Sequence, residues 1–186
     1  MQRCGWVTQD PLYIAYHDRE WGIPQNDGNS LFEMICLEGQ QAGLSWITVL
    51  KKRQNYRRAF YHFDPQAVAL MGEKEVDELM QDSGLIRHRG KLSAIIANAR
   101  ALLAMEARGE DFSRFIWSFV DNQPQQNQRQ SLAEVPAKTA LSDELSKALK
   151  KRGFKFVGST TCYAFMQACG LVNDHAIDCF CHPHHL

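Results

Sequence analysis

The sequence has no net charge and no long apolar run. Its 21 basic residues are balanced by 21 acidic residues, so a polyanion would have to be bound by local basic clusters rather than by a global positive field. No stretch approaches the roughly 18 apolar residues of a membrane-spanning helix. The first residues, Met-Gln-Arg-Cys-Gly-Trp, lack the basic-then-apolar profile of a secretory signal. These absences predict a cytoplasmic protein with no membrane partner.

Alternating strand patterns and internal repeats are scarce, whereas helix signals recur along the chain. Ser30 and Glu33 have the spacing of a capping box at the start of a helix that runs toward Glu38. The pair Asp64-Pro65 marks another helix start. Residues 121–141, rich in Gln, Asn and Pro, are predicted to be a surface loop or linker. Further helices are predicted near residues 46–50, 73–82, 90–107, 111–120, 142–152 and 159–169. The fold class is therefore all-α, and a length of 186 residues favours one domain.

The segment Gly153-Phe-Lys-Phe-Val-Gly158 separates two predicted helices. Glycines let a backbone approach a large partner closely, and free amides at the start of the second helix, at Ser159 and Thr160, suit a phosphate oxygen. An ordinary helical corner with a solvated basic rim explains the same pattern. Basic side chains occur here and in two other clusters that could line the same face: Lys150, Lys151, Arg152 and Lys155; Lys51, Lys52, Arg53, Arg57 and Arg58; Arg87, His88, Arg89 and Lys91.

Of the six cysteines, Cys4 lies near the N-terminus with His17, and Cys179 lies near the C-terminus with His175. Two cysteines and two histidines form a complete tetrahedral ligand set for zinc, with no open position for chemistry. Four unrelated side chains would give the same spacing. Further residues of the tail compete as ligands: Cys181, His182, His184 and His185. Cys36, Cys162 and Cys169 lie in apolar surroundings that indicate core positions.

Aromatic residues are concentrated in the first 46 positions: Trp6, Tyr13, Tyr16, Trp21 and Trp46. Such rings are usually core residues, but they can also form a slot for a flat ligand ring. Glu38 lies in a partly apolar segment between two predicted helices, where a carboxylate is costly without a partner. It is therefore a candidate ligand-binding group, unless its side chain is exposed on the surface.

Taken together, these segments resemble the bacterial 3-methyladenine DNA glycosylase I family over nearly the whole chain. The matching segments are Arg3-Cys-Gly-Trp6, Tyr16-His-Asp-Arg-Glu-Trp-Gly22, Phe32 to Trp46, Gly84 to Lys91, Gly153 to Gly158 and Gly170 to His175. The resemblance implies a helix-hairpin-helix glycosylase fold and a structural zinc ion that ties the termini together. Its zinc ligands would be Cys4, His17, His175 and Cys179.

The resemblance also implies a function and a domain plan. The enzyme would flip an alkylated nucleotide out of double-stranded DNA and hydrolyse its N-glycosidic bond, releasing 3-methyladenine and leaving an abasic site. Residues 1–186 would form one unit, with a helical core over residues 30–170 and a zinc-stapled subdomain from residues 1–29 and 171–186. No obligate protein partner is evident, and a monomer is expected.

Glu38 would recognise the excised base together with Tyr16 and Trp46, while Trp6, Tyr13 and Trp21 would lie nearby. DNA contacts would come from the hairpin and from a tip at Gly43 and Leu44 that could wedge into the duplex; Leu44 could equally be a helix-packing residue. The hairpin contacts would be Lys155, Gly158, Ser159 and Thr160.

Asp174 comes too soon after the hairpin to match the catalytic aspartate of many helix-hairpin-helix relatives, and no general base is assigned. Two alternatives remain open. The protein could be a zinc-stapled module that senses DNA or free purines without cleavage, or a glycosylase for another lesion.

Overall fold

Helices form most of the fold, which confirms the all-α prediction at this level. The structure is a computed structural model that describes residues 1–185. Within that range nine α-helices and two short strands follow one another. The helices are α1 (Pro11–Arg19), α2 (Gly28–Gln40), α3 (Trp46–Ala59), α4 (Pro65–Ala69), α5 (Glu73–Leu79), α6 (Arg89–Ala107), α7 (Phe112–Ser118), α8 (Ala140–Lys151) and α9 (Ser159–Ala168). The strands are β1 (Gln125–Gln126) and β2 (Val172–Asn173). None of these helices is long and apolar enough to cross a membrane.

The start of α2 differs from the predicted capping box. Asp27 is the cap, and its carboxylate accepts hydrogen bonds from the Ser30 amide at 2.9 Å and from the Ser30 hydroxyl at 2.8 Å. The helix therefore begins at Gly28, before Ser30, so the prediction of Ser30 as the cap was wrong. Glu33 does not fold back onto the helix start, because it accepts hydrogen bonds from Arg57 on α3.

Two other helix starts show what the sequence pattern missed. Thr139 caps α8, and Ser142, where the helix was predicted to begin, is its reciprocal partner at the third helical position. No helix was predicted over residues 11–19, yet Asp10 caps α1 and Pro11 occupies its first position. The same Asp-Pro signal at Asp64-Pro65 does start α4, as predicted.

Helix α2 is the centre of the packing and delivers Glu38 to the site. It contacts α3, α6, α7 and α9, and its residues Leu31, Phe32, Ile35 and Leu37 are completely buried. Burial on this scale supplies most of the stability of such a helix, because its intrinsic propensity is modest. The last turn of α2, which contains Glu38, remains buried up to the C-terminal end of the helix.

Residues 125–135, here called the strap, are not a detached surface loop. Strand β1 pairs in parallel with β2, and an isolated bridge joins Arg129 to Ala176. The strap therefore runs beside the C-terminal segment that carries His175. The two chain ends also meet, since the Phe180 amide donates to the Gln2 carbonyl at 3.0 Å.

Candidate functional site

A cavity of about 210 Å³ lies between α1, the end of α2, the start of α3, α9 and the strap. All six residues proposed to bind the base line it: Trp6, Tyr13, Tyr16, Trp21, Glu38 and Trp46. Tyr13 and Tyr16 lie on α1, Glu38 lies on the last turn of α2, and Trp46 is the first residue of α3. The side of α1, the end of α2 and the start of α3 thus meet at the aromatic slot.

Glu38 is the polar group of this cavity with the most unusual environment. Its side chain is buried, with a residue exposure of 4%, and its Oε2 atom has no hydrogen-bond partner among the described residues. Burial raises the pKa of the Glu38 carboxyl from its ordinary value of 4.5 to about 8. An acceptor left unpaired in an apolar site costs free energy that a ligand donor can recover.

The aromatic rings form a connected wall around that carboxyl. Tyr16 and Trp46 have ring centroids 5.5 Å apart, and Trp6 lies 4.9 Å from Tyr13 and 5.0 Å from Trp21. These separations fall within the range of favourable aromatic pairs. Trp46 contributes a second unpaired polar atom, because its Nε1 is buried without a partner among residues 1–185.

The strap closes one side of the cavity with residues that the sequence analysis did not select. Ser131, Leu132 and Val135 line the cavity together with Arg129. Their segment was predicted as a surface loop, since its composition is polar and its contacts come from residues more than 40 positions away. Gln41, Ala164 and Gln167 are further lining residues without a local signal.

Asp174 also borders the cavity, but its carboxylate is fully committed. Its Oδ2 accepts from the Tyr163 hydroxyl and from Gln167 at 3.0 Å. Its Oδ1 accepts from Asn127 at 2.7 Å and from Arg129 at 3.3 Å. These contacts join Asn127 and Arg129 of the strap to Tyr163 and Gln167 of α9. Asp174 therefore anchors the strap.

The four predicted metal ligands come together next to the cavity. All four residues are buried, and their ligand atoms lie within 4.8 Å of one another. The Cys4 Sγ lies 3.4 Å from the His175 Nδ1, and the Cys179 Sγ lies 3.5 Å from the His17 Nε2 and 3.6 Å from the His175 Nδ1. A tetrahedral zinc site with ordinary bond lengths places its sulfur and nitrogen ligands about 3.6 Å apart. The cluster has the size that a zinc ion requires.

The surroundings of the two histidines also fit metal ligation. The His17 Nδ1 donates a hydrogen bond to the Asp18 carboxylate at 2.7 Å, and the Arg3 guanidinium also donates to that carboxylate. The His175 Nε2 donates to the Trp21 carbonyl at 3.0 Å. In each ring the remaining nitrogen lone pair points into the cluster, as in most metal-bound histidines. Burial lowers the pKa of His175 to about 4, so its ring is neutral, the form that binds a metal.

The competing tail residues are occupied differently. His182 interacts with the Asn127 carbonyl and accepts from the His184 amide, while His185 interacts with the Ile177 carbonyl. Cys181 lies near His17 and Asp18, but its backbone amide donates to the Cys179 sulfur at 3.4 Å. The four-residue set is the more complete ligand group in the described chain.

Residues 152–158, called the hairpin below, join α8 to α9 and contain both glycines of the Gly-x-x-x-x-Gly spacing. Gly153 adopts a positive φ of 94°, and α9 begins after Gly158 without a side-chain cap. Lys155 and Thr160 are exposed. The Ser159 hydroxyl is engaged with Ser142 at 2.8 Å, so this residue can offer a phosphate its backbone amide rather than its side chain.

Several of the other basic residues are paired with acidic groups of the protein. Arg152 binds Glu110 and stacks on Phe115, with 4.3 Å between its Cζ and the ring centroid. Lys51, Arg53 and Arg57 pair with acidic groups, and Arg89 does the same. That these clusters line a DNA-binding face stays a prediction, and these residues would contact a phosphate while already paired with a protein carboxylate.

The short segment 41–45 connects α2 to α3 beside the cavity. Gly43 has a positive φ of 78°, a conformation that a glycine adopts without strain. Leu44 is 41% exposed. The leucine is thus not a buried helix-packing residue, and Gln41 of the same segment lines the cavity.

A helical framework, a carboxyl in an aromatic cavity and a metal-sized cluster together define a base-binding protein of the DNA glycosylase type. Comparisons with known proteins agree. The model of the methyladenine glycosylase family matches residues 6–182. DNA-3-methyladenine glycosylase 1 of Escherichia coli K12 is 68% identical over 98% of both chains. The protein belongs to the methyladenine glycosylase family.

Solved structures agree with this assignment. A crystal structure of 3-methyladenine DNA glycosylase I (TAG) superposes with a TM-score of 0.97 at 69% identity, covering 98% of this chain and 100% of the other. A Y16F variant of 3-methyladenine DNA glycosylase I, solved in complex with 3-methyladenine, superposes with a TM-score of 0.91 at 41% identity over 96% of each chain.

Proposed function

We propose that this protein excises 3-methyladenine from alkylated double-stranded DNA by hydrolysing the N-glycosidic bond, which leaves an abasic site. One observation carries the proposal: the buried Glu38 carboxyl has an unpaired oxygen in a cavity walled by indole and phenol rings. The complex of a family member with 3-methyladenine supports the choice of base, and the name of the E. coli relative supports the reaction.

Charge recognition is the basis of the selectivity. Methylation at N3 makes the adenine of the nucleotide cationic and weakens its glycosidic bond, so the leaving base needs no protonation. With a pKa of about 8, Glu38 is mostly protonated in the free protein at neutral pH. A cation nearby favours the carboxylate form. The incoming cationic base would therefore favour the Glu38 carboxylate, whose proton would be released to solvent, and the exocyclic amine of the base would donate to it.

The rings supply the remaining recognition. Trp46 and Tyr16 lie beside each other with a centroid separation of 5.5 Å, and Trp6, Tyr13 and Trp21 extend the wall. A cation over such a face gains about 0.5–2 kcal/mol per contact. A neutral adenine lacks this attraction, which would favour the methylated base over the normal one.

Duplex binding is assigned to two exposed elements. The amides of Gly158, Ser159 and Thr160 at the start of α9 would receive a phosphate, with Lys155 adding positive charge. Extruding the nucleotide costs a few kcal/mol. Leu44, carried by the turn at Gly43, would fill the gap that the extruded nucleotide leaves.

A structural zinc ion fits the cluster of Cys4, His17, His175 and Cys179. Four protein ligands leave no open position, so the ion would stabilise the fold rather than take part in hydrolysis. Trp21 packs on His175 with ring centroids 4.7 Å apart, so the cluster would also brace the cavity wall. Residues 1–29 and 171–186 would thereby form the metal-held part of one unit whose helical core spans residues 30–170.

The experiment is direct. Purified protein is incubated with DNA treated with a methylating agent, and the released bases are separated by chromatography. We expect free 3-methyladenine and an equal amount of abasic sites. Duplex or free-base binding without release would instead indicate a sensing module, and release of a different base would indicate another lesion. The Glu78→Ala variant loses an exposed carboxyl on α5 instead of the buried one at Glu38. It should release the base like the wild type.

A further inference from the structure

Lys91 is a buried cation that the proposed reaction does not use. The residue is 5% exposed, although its sequence suggested a basic surface cluster. Its Nζ donates to the Gln40 carbonyl at 3.0 Å and to the Ala42 carbonyl. In return, the Gln40 side chain donates to the Lys91 carbonyl at 2.9 Å. Lys91 therefore satisfies the end of α2 just where the chain enters the segment 41–45.

Asn98 binds the backbone of the hairpin in a similar way. It is buried, and its side-chain amide forms hydrogen bonds with both backbone groups of Lys155. The Asn98 Oδ1 accepts from the Lys155 amide at 2.7 Å, and the Asn98 Nδ2 donates to the Lys155 carbonyl at 3.2 Å. This paired contact fixes the turn of the hairpin more tightly than a single hydrogen bond would.

Both residues lie on α6, seven positions apart. That spacing corresponds to two helical turns, so the two side chains share one face and are separated by about 10 Å along the axis. The two bound segments also touch directly. A Cβ at Gly39, on the last turn of α2, would lie 3.1 Å from the Phe156 carbonyl oxygen of the hairpin.

We propose that Lys91 and Asn98 are positioning residues that hold the segment 41–45 and the hairpin at a fixed spacing along α6. This inference rests on the proposed function. The hairpin sets where the phosphate backbone lies, and the segment 41–45 carries Leu44 to the extruded nucleotide. Because Lys91 and Asn98 lie on one rigid helix, the segment 41–45 and the hairpin are held so that both act on the same nucleotide.

The test uses two variants of the full chain. Lys91→Met keeps the aliphatic stem and removes the donor, and Asn98→Leu keeps the approximate volume and removes both contacts. Lys74→Met is the matched control, because Lys74 is an exposed lysine on α5. Binding of free 3-methyladenine, followed by tryptophan fluorescence, reports whether the cavity is intact. Single-turnover excision is measured on methylated DNA in which the lesion faces thymine or a mismatched cytosine.

We expect Lys91→Met to lower the saturating rate on paired DNA by about tenfold, as for loss of a charge-assisted hydrogen bond used during extrusion. The loss should shrink on mismatched DNA, where extrusion costs less. Asn98→Leu should chiefly raise the DNA concentration needed for half-maximal rate. Both variants should bind the free base like wild type.

Two results would overturn the inference. Equal losses on paired and mismatched DNA, or weakened free-base binding in parallel with excision, would show that these residues only support the fold. Lys91→Gln, which retains one donor, should lie between wild type and Lys91→Met. A wild-type protein that released no base would refute the proposed function itself, an outcome distinct from either of these.

Discussion

Replacing Glu38 with glutamine should change how stability depends on pH. Burial raises the pKa of the carboxyl from 4.5 to about 8 in the folded protein. Between these values the folded chain keeps a proton that the unfolded chain releases. The free energy of unfolding therefore falls as pH rises, by about 1.4 kcal/mol per pH unit. At 1.36 kcal/mol per pKa unit, the complete cost above pH 8 is about 5 kcal/mol.

Glutamine is similar in shape and does not titrate, so Glu38→Gln removes this cost. We expect the variant and the wild type to be similarly stable near pH 4.5. At pH 7 the variant should be more stable by about 3 kcal/mol, and above pH 8 by about 5 kcal/mol. Urea unfolding followed by tryptophan fluorescence at pH 5, 7 and 9 measures the difference, with Glu78→Gln as the exposed control. A difference that stays constant with pH would refute the assignment of a buried, proton-retaining carboxyl.

Three further predictions concern the walls of the site. Trp46→Phe retains a ring of smaller area and should weaken binding of free 3-methyladenine by about fivefold in a fluorescence titration, because stacking area is lost; unchanged affinity would place the base elsewhere. Cys4→Ser should lower both zinc content, measured by elemental analysis, and the melting temperature, because it removes one of four ligands; Cys181→Ser should change neither, and full zinc content in Cys4→Ser would remove the assignment. Asp174→Asn should lower the free energy of unfolding in urea by about 2–3 kcal/mol, because the asparagine NH2 group would face side chains that are themselves hydrogen-bond donors. Wild-type stability would contradict the anchoring role.

Local signals in the sequence predicted much of the helical framework. The apolar spacing of residues 90–107 and the Asp64-Pro65 pair indicated helices that the structure contains as α6 and α4. The equivalent Asp10-Pro11 pair was available and would have identified α1. The capping error at α2 arose because Asp27 and Ser30 are both good caps, and only the packing of the helix decides between them.

The candidate site was predictable where residue type carried the information. An isolated glutamate among aromatic residues and a two-cysteine, two-histidine set indicate chemistry by themselves, although the resemblance was needed to choose the four ligands. Lys91 and the strap were not predictable. The carbonyls that Lys91 binds lie about 50 positions away in sequence, and the strap gains its role from pairing with β2. Neither relation leaves a periodic or local signature.

The most direct test of Glu38 recognition compares base release with duplex binding in Glu38→Ala. Release of 3-methyladenine should fall by about a hundredfold or more, as for removal of a buried electrostatic group at a reacting centre. Affinity for undamaged duplex DNA should remain within about twofold, because phosphate contacts supply that affinity. Equal losses in release and in duplex binding would contradict the role assigned to the Glu38 carboxyl.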